Sequence, residues 1–301
     1  MTSKNTHPIM LTKSDYLCGL QCLKLLWITK NDKSQIPEKT DIEKAKFKEG
    51  YVIEELAKTL FPESLDLSDL EFNEQIDKTK EDLGKRKPII QASFLINGLY
   101  ARADVLIPVE DKWDIIEVKS STEVKDIHLD DLAFQKHIYE KSGLKIGKCF
   151  VMHVNNEYVR QGNIEPKELL MQTDVSEKVE ESILGIQERI AHMIEVIQGK
   201  CPDFSVDDIL TIEYETFVKD EFMTSLPKNN IFDFVRILKK KAVELYKQGI
   251  VKMSDVPTSF KLNDKQQIQK LLAEGGGKHI DKKQIKNFLD TLQYPLYYLD
   301  F

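Results

Sequence analysis

The residues with the most chemistry to offer lie between Ala101 and Tyr139. Asp104 precedes the aliphatic run Val105-Leu106-Ile107, and Glu117 and Lys119 bracket Val118 just after Trp113-Asp114-Ile115-Ile116. In an extended chain successive side chains alternate, so Glu117 and Lys119 share a face and Val118 takes the other. Two carboxylates held a few ångströms apart repel unless a cation stands between them. Oxygen ligands without imidazole or thiolate favour magnesium or manganese over zinc. A lysine beside such an ion can orient or help deprotonate a water, or stabilise charge growing on a phosphate. An isolated Glu-Val-Lys on a strand is ordinarily a solvated face. Here two acids and a lysine stand at the ends of apolar strands, which favours a site.

Strands must position these residues, and the sequence supplies them. Residues 88–96 and 99–107 read as strands around Asn97-Gly98, the strongest short hairpin signal. Residues 113–119 form a third strand after the polar turn Glu110-Asp111-Lys112, 127–142 a helix ending at Gly143, and 145–154 a buried strand. Asn155-Asn156 then turns the chain into a short strand around Tyr158. Upstream, residues 14–30 predict one helix capped by Ser14, with Tyr16, Leu20, Leu23 and Trp27 at helical spacing. A second helix spans 41–60 and closes at Pro62, and the acidic stretch 66–83 reads as a surface helix with its loop. Downstream, the stripe Val175, Val179, Ile183, Ile186, Ile190, Met193, Val196 predicts a single helix over 174–199, stopped by Cys201-Pro202. Residues 230–248 and 280–292 are further helices, with Gly275-Gly276-Gly277 between them. Residues 294–301 read as the start of a buried strand, so the chain is expected to continue or to have its sheet completed by another chain. The layout is α/β with a mixed sheet.

Composition sets the bounds. At 301 residues the chain fits one large domain or two modest ones, and 41% hydrophobic residues are enough for a core. No apolar run reaches the roughly 18 residues of a membrane span, and the N-terminus lacks a signal-peptide segment, so no membrane partner and a cytoplasmic location are expected. A net charge of −7 excludes an indiscriminate polycation, although an acidic enzyme can still carry one basic groove.

Asp104, Glu117-Val118-Lys119 and their spacing resemble the PD-(D/E)XK nuclease superfamily, in particular its RecB-like branch that includes CRISPR-associated exonucleases. Gln135-Lys136-His137-Ile138-Tyr139 is similar to that branch's Gln-x-x-x-Tyr helix, with Gln135 and Tyr139 on one face. Gly50-Tyr51-Val52-Ile53-Glu54 is similar to its upstream helix, where a metal-binding residue follows a glycine by four positions. The resemblance covers about residues 10–160. It implies a restriction-endonuclease-like mixed sheet flanked by helices, with a helical C-terminal region. Asp104, Glu117 and Glu54 would hold magnesium or manganese, Lys119 would position water, and Gln135 and Tyr139 would steady the site or the strand. It divides the chain into a nuclease-like core over 1–172, a helical region over 173–293 that is a candidate for contacting nucleic acid, and the strand start at 294–301. The overall layout also resembles a bacterial family in which this region precedes a ribonuclease-H-like exonuclease; Asp300 would then be the first acid of that further domain.

Other features of the sequence also have plainer readings. Relatives of this type often hold an iron–sulfur cluster on four cysteines; Cys22 matches the N-terminal position and Cys201 a later one, but no cysteine follows Cys201. Cys149 reads as core, Cys18 leaves a Cys-x-x-x-Cys pair possible, and no cluster is expected. His128 and His153 are more readily structural than catalytic. Ser120, Ser121 and Thr122 suit a phosphate or a plain loop equally. Arg236, Lys239, Lys240, Lys241 and Lys247, and Lys278, Lys282, Lys283 and Lys286, are either solvated faces or phosphate-tracking stripes. The expected activity is metal-dependent phosphodiester hydrolysis, of DNA more than RNA. The alternative is a catalytically silent nuclease-derived module that binds nucleic acid, scaffolds, or guides substrate to an exonuclease domain.

Overall fold

Among the described residues, seven strands organise the first unit, Met1–Phe204: β1 (Leu11–Thr12), β2 (Leu65–Asp66), β3 (Ile89–Ile96), β4 (Leu99–Val109), β5 (Lys112–Lys119), β6 (Ile146–Val154) and β7 (Leu170–Asp174). The structure is a computed structural model describing residues 9–212 and 216–299. The strands form one mixed sheet in the order β2-β3-β4-β5-β6-β7, with β1 beside β4. At the hairpin, Asn97 and Gly98 both take positive φ, 50° and 78°, as the tight turn between two twisted strands requires. Gly98 has a second duty, since a Cβ there would lie 2.6 Å from the Ile9 carbonyl oxygen. Its own carbonyl accepts the Leu11 N–H at 2.8 Å, which docks β1.

The arrangement around β4 matters most. Its later half pairs antiparallel with β5, from Val105–Ile116 to Val109–Lys112, while its first residues pair parallel with β1, Leu11 with Leu99 and Thr12 with Tyr100. Both neighbours therefore lie against β4 and run toward each other, leaving its middle between them. The ends of β1 and β5 are aimed at one gap, and Asp104 lies at its border.

Helices α1 (Lys13–Gln21), α2 (Leu23–Asn31), α3 (Asp41–Lys58), α4 (Phe72–Asp82), α5 (Asp126–Lys141), α6 (Pro166–Leu169), α7 (Ser176–Ile183) and α8 (Ile186–Gln198) flank the sheet. One apolar cluster gathers Tyr16, Leu26, Phe134, Ile138, Val179 and Ile190 of these helices against Ile89, Ala103, Leu106 and Ile115. A second packs Ile53 and Ala57 of α3 against Ile90, Val105, Ile116 and Met152. The parallel pair β5 and β6 needs a crossover, which α5 supplies. The result is the mixed α/β, restriction-endonuclease-like architecture expected from the sequence.

Several elements differ from expectation. The first helix is capped not by Ser14 but by Thr12, whose hydroxyl accepts the Asp15 N–H while Asp15 accepts the Thr12 N–H, a reciprocal cap. It also breaks at Cys22, which is extended. The short strand near Tyr158 is absent; the seventh strand is Leu170–Asp174, a half-polar edge strand with little alternation to betray it. The helix over 174–199 is two helices, because Gly185 turns left-handed (φ 72°). The apolar stripe survives the break, ending on buried Ile197 rather than Val196.

Residues Ser205–Phe301 form a second compact unit with helices α9 (Asp208–Thr211), α10 (Phe217–Ser225), α11 (Lys239–Lys247), α12 (Asp264–Gly275) and α13 (Lys282–Leu289). Ile231, Phe234, Leu245, Met253 and Val256 make its core. The expected helix over 230–248 begins only at Lys239, Arg236 before it being left-handed (φ 53°). Residues 294–299 form no strand, and Tyr294, Tyr297, Tyr298 and Leu299 are exposed rather than buried. Pro295 removes a ladder donor there. Asp300 and Phe301 lie outside the described residues.

Candidate active site

The antiparallel ladder of β4 and β5 stops at Val105–Ile116, and the next residues on each strand are Asp104 and Glu117. Asp104 fills the missing rung with its side chain, Oδ2 accepting the Val118 N–H at 2.7 Å. The neighbouring strand is distorted at the same level. Gln91, between the pairs Ile90–Val105 and Ala92–Ala103, adopts φ 58°. A non-glycine residue in that region is uncommon and clusters at functional sites. The core alternation slips in both strands here: Ile89 then Ala92 face one cluster on β3, and Ala103 then Leu106 face it on β4. The distortion turns Gln91 so that its amide nitrogen donates to Glu54 Oε1 at 2.5 Å and Asp104 Oδ1 at 3.2 Å. Glu54 of α3 is thereby brought beside Asp104.

Glu117 faces α5. Its Oε2 accepts Gln135 Nε2 at 2.7 Å, and the same amide nitrogen reaches Asp131 Oδ1 at 2.7 Å. Lys119 Nζ lies 2.7 Å from Glu117 Oε1 and 2.8 Å from Asp131 Oδ2. Lys13, first residue of α1, comes from the other side of the gap, 2.8 Å from Glu117 Oε1 and 3.3 Å from Asp131 Oδ1. Glu117, Asp131 and Gln135 are buried; Asp104, Lys13 and Lys119 keep a side to solvent.

Electrostatics follow from this crowding. Burial, then the nearby Asp104 and Asp131, push the Glu117 carboxyl up to about 7. Burial also raises Asp104, only partly offset by Lys13 and Lys119. Asp131 shows the opposite balance: burial would raise it, yet Lys119 and Lys13 together hold it below the usual carboxylate range. Both lysines are raised, the carboxylates outweighing the burial that opposes it.

Sequence reasoning missed Lys13, Gln91 and Asp131. Asp131 had a signal, one helical turn before Gln135 on the same face. Gln91 stood out only as a polar residue in Ile89-Ile90-Gln91-Ala92, and Lys13 had none, since its place depends on β1. Tyr139 lies outside the carboxylate network. Its hydroxyl donates to the Ala92 carbonyl at 2.9 Å and its ring packs on Phe94, pinning α5 to the sheet. His128 Nδ1 accepts the Lys125 N–H at 3.2 Å at the start of α5, and burial lowers its pKa to about 4. His153 bonds to Thr173, and Ser121 donates to the Glu123 carbonyl within its turn. Cys149 and Cys22 are buried, Cys18 is half-buried and Cys201 is exposed.

A hard divalent cation fits this donor set. Four carboxyl groups, Glu54, Asp104, Glu117 and Asp131, gather around the ammonium groups of Lys13 and Lys119, with Lys58 near Glu54. Among the described residues, the side-chain oxygens of Gln91 and Gln135 are buried without a hydrogen-bond partner, which a native site seldom leaves unexplained. Also among the described residues, no three carboxylate, imidazole or thiolate groups form a ready-made ion cage; the Glu117 and Asp131 oxygens are turned to ammonium groups.

No family profile and no curated protein matches the chain. Among solved structures, it is similar to a phage-related exonuclease from Haemophilus somnus 129PT (11% identity, 64% of this chain and 95% of that chain, TM-score 0.30). It is likewise similar to an alkaline exonuclease from Laribacter hongkongensis (11% identity, 63% and 92%, TM-score 0.26). Likenesses at such scores establish neither activity nor substrate.

Proposed function

We propose that this chain is a divalent-metal-dependent nuclease that hydrolyses phosphodiester bonds, with DNA as the substrate. The observation that carries the reading is the convergence of Asp104, Glu117 and Lys119 at one break in the sheet, with Glu54 brought beside Asp104 by Gln91. Asp104, Glu117 and Glu54 would hold magnesium or manganese. What the ion supplies when bound is Lewis-acid polarisation of the phosphoryl group. Lys119 is fixed by Glu117 and Asp131 so that its ammonium orients the attacking water and offsets charge growing on the phosphate. Gln135 bridges Glu117 and Asp131 and holds both carboxylates in place. Water adds to phosphorus, the phosphorus–oxygen bond to the leaving sugar breaks, and the released oxygen takes up a proton. In the second unit, Arg236, Lys241, Phe260 and Lys261 line a cavity of about 340 Å³, with the Lys241 ammonium 6.0 Å from the centre of the Phe260 ring. Cations beside an aromatic ring suit a phosphate backbone and a stacked base.

Two variants test the assignment. Lys119→Ala is expected to lower cleavage by about 10²–10³ without weakening Mn²⁺ binding, because lysine is not a ligand. Asp104→Asn is expected to lose Mn²⁺ binding and cleavage together. Lys119→Ala cleaving like wild type would overturn the assignment. A wild type that binds DNA but cleaves under no metal would favour the silent binding module.

A further inference from the structure

The proposed reaction leaves Lys13 without a role, although it reaches the centre of the site. Glu117 Oε1 accepts from two ammonium groups at once, Lys13 at 2.8 Å and Lys119 at 2.7 Å, and Oε2 is taken by Gln135. A carboxylate oxygen has about two lone-pair sites, and Lys13 and Lys119 take both on Oε1, so an ion that binds Oε1 must displace one of the two ammonium groups. The two lysines are not equally held. Lys119 is tied tightly to both carboxylates, at 2.7 and 2.8 Å, and rises from a central strand. Lys13 has one short contact and one of 3.3 Å, and belongs to the first turn of a helix attached through a two-residue strand. The side chains of Lys13 and Lys119 are exposed to similar degrees, 20% and 24%, so what separates the two lysines is how each is held.

We propose that Lys13 is an exchangeable counter-cation: it occupies Glu117 while the metal site is empty, and turns to a substrate phosphate once a divalent ion takes the carboxylate. The proposal rests on the nuclease reading and deepens it. It couples metal loading to substrate binding through one side chain. No covalent step is involved. Asp131 stays behind as the anchor of Lys119, so the cation needed for catalysis is not lost when Lys13 leaves.

The test uses the full chain and two readouts besides cleavage. In calorimetric titration with Mn²⁺, Lys13→Met is expected to bind tighter than wild type by at least about fivefold, the lower end of ordinary coupling between two sites. Lys13→Arg keeps the competing charge and is expected to bind like wild type. In fluorescence anisotropy with a labelled DNA oligonucleotide, Lys13→Met is expected to weaken binding in Ca²⁺ and to leave it unchanged in EDTA, where Lys13 is already engaged. Lys13→Gln serves both measurements should the methionine variant fold poorly. Unchanged or weaker Mn²⁺ affinity in both neutral variants overturns the proposal, as does an equal loss of DNA affinity with and without Ca²⁺. If wild type cleaves with Mn²⁺ while these tests fail, this proposal alone falls. If wild type binds no Mn²⁺, the nuclease reading falls and takes the proposal with it.

Discussion

At the scale of single residues, the site is a cluster of carboxylates kept closer than their charge favours. Glu117 shows the cost most clearly. Its carboxyl is raised from 4.5 to about 7 by burial and by Asp104 and Asp131. Below pH 4.5 the folded and unfolded forms are both protonated. Between pH 4.5 and about 7 the unfolded chain releases a proton that the folded one retains, so stability falls as pH rises through that window. In EDTA, Glu117→Gln is therefore expected to flatten this part of the pH–melting-temperature curve and to melt no lower than wild type at pH 8, while losing cleavage. A Glu117→Gln curve parallel to wild type would show that Glu117 bears no such strain. Such a trade of stability for function is ordinary at active sites. Asp104, Glu117 and Lys119 stand out in the sequence by residue type and strand spacing, whereas Gln135 stands out only through the resemblance to the Gln-x-x-x-Tyr helix. Lys13 and Gln91 do not stand out, since one depends on a parallel pairing of two residues and the other on a left-handed backbone angle that nothing local demands.

At the scale of elements, the gap between β1 and β5 along β4 is what assembles the site. The hairpin, the third strand, α5 and β6 were readable because turn chemistry and alternation agree there. The divided helix at Gly185 and the edge strand β7 were not: an apolar stripe runs across the break, and the edge strand's side chains are mostly exposed. The same elements give a test. Gly98 needs both its positive φ and its missing Cβ to let β1 approach. Gly98→Val is expected to destabilise the first unit by on the order of 1–3 kcal/mol in urea titration, the scale of one strained backbone position. It should lower cleavage as well, because displacing β1 moves Lys13. A stable Gly98→Val protein with full activity would mean that β1 does not help to build the site.

At the scale of the molecule, all the site residues lie within Met1–Phe204, which has its own sheet and two apolar clusters. Residues 1–204 expressed alone are expected to melt cooperatively. Mn²⁺ at about a hundred times its dissociation constant is expected to raise that transition on the order of 5–10 °C. A fragment that does not fold, or that folds and ignores Mn²⁺, would show that the site needs the second unit.

The central claim, that these residues form a metal-dependent nuclease site, is tested most directly by incubating the full chain with end-labelled single- and double-stranded DNA and RNA in Mn²⁺, Mg²⁺ or EDTA. Cleavage of DNA is expected in Mn²⁺ or Mg²⁺, and none in EDTA. Intact substrates under every metal, or cleavage that persists in EDTA, would contradict it.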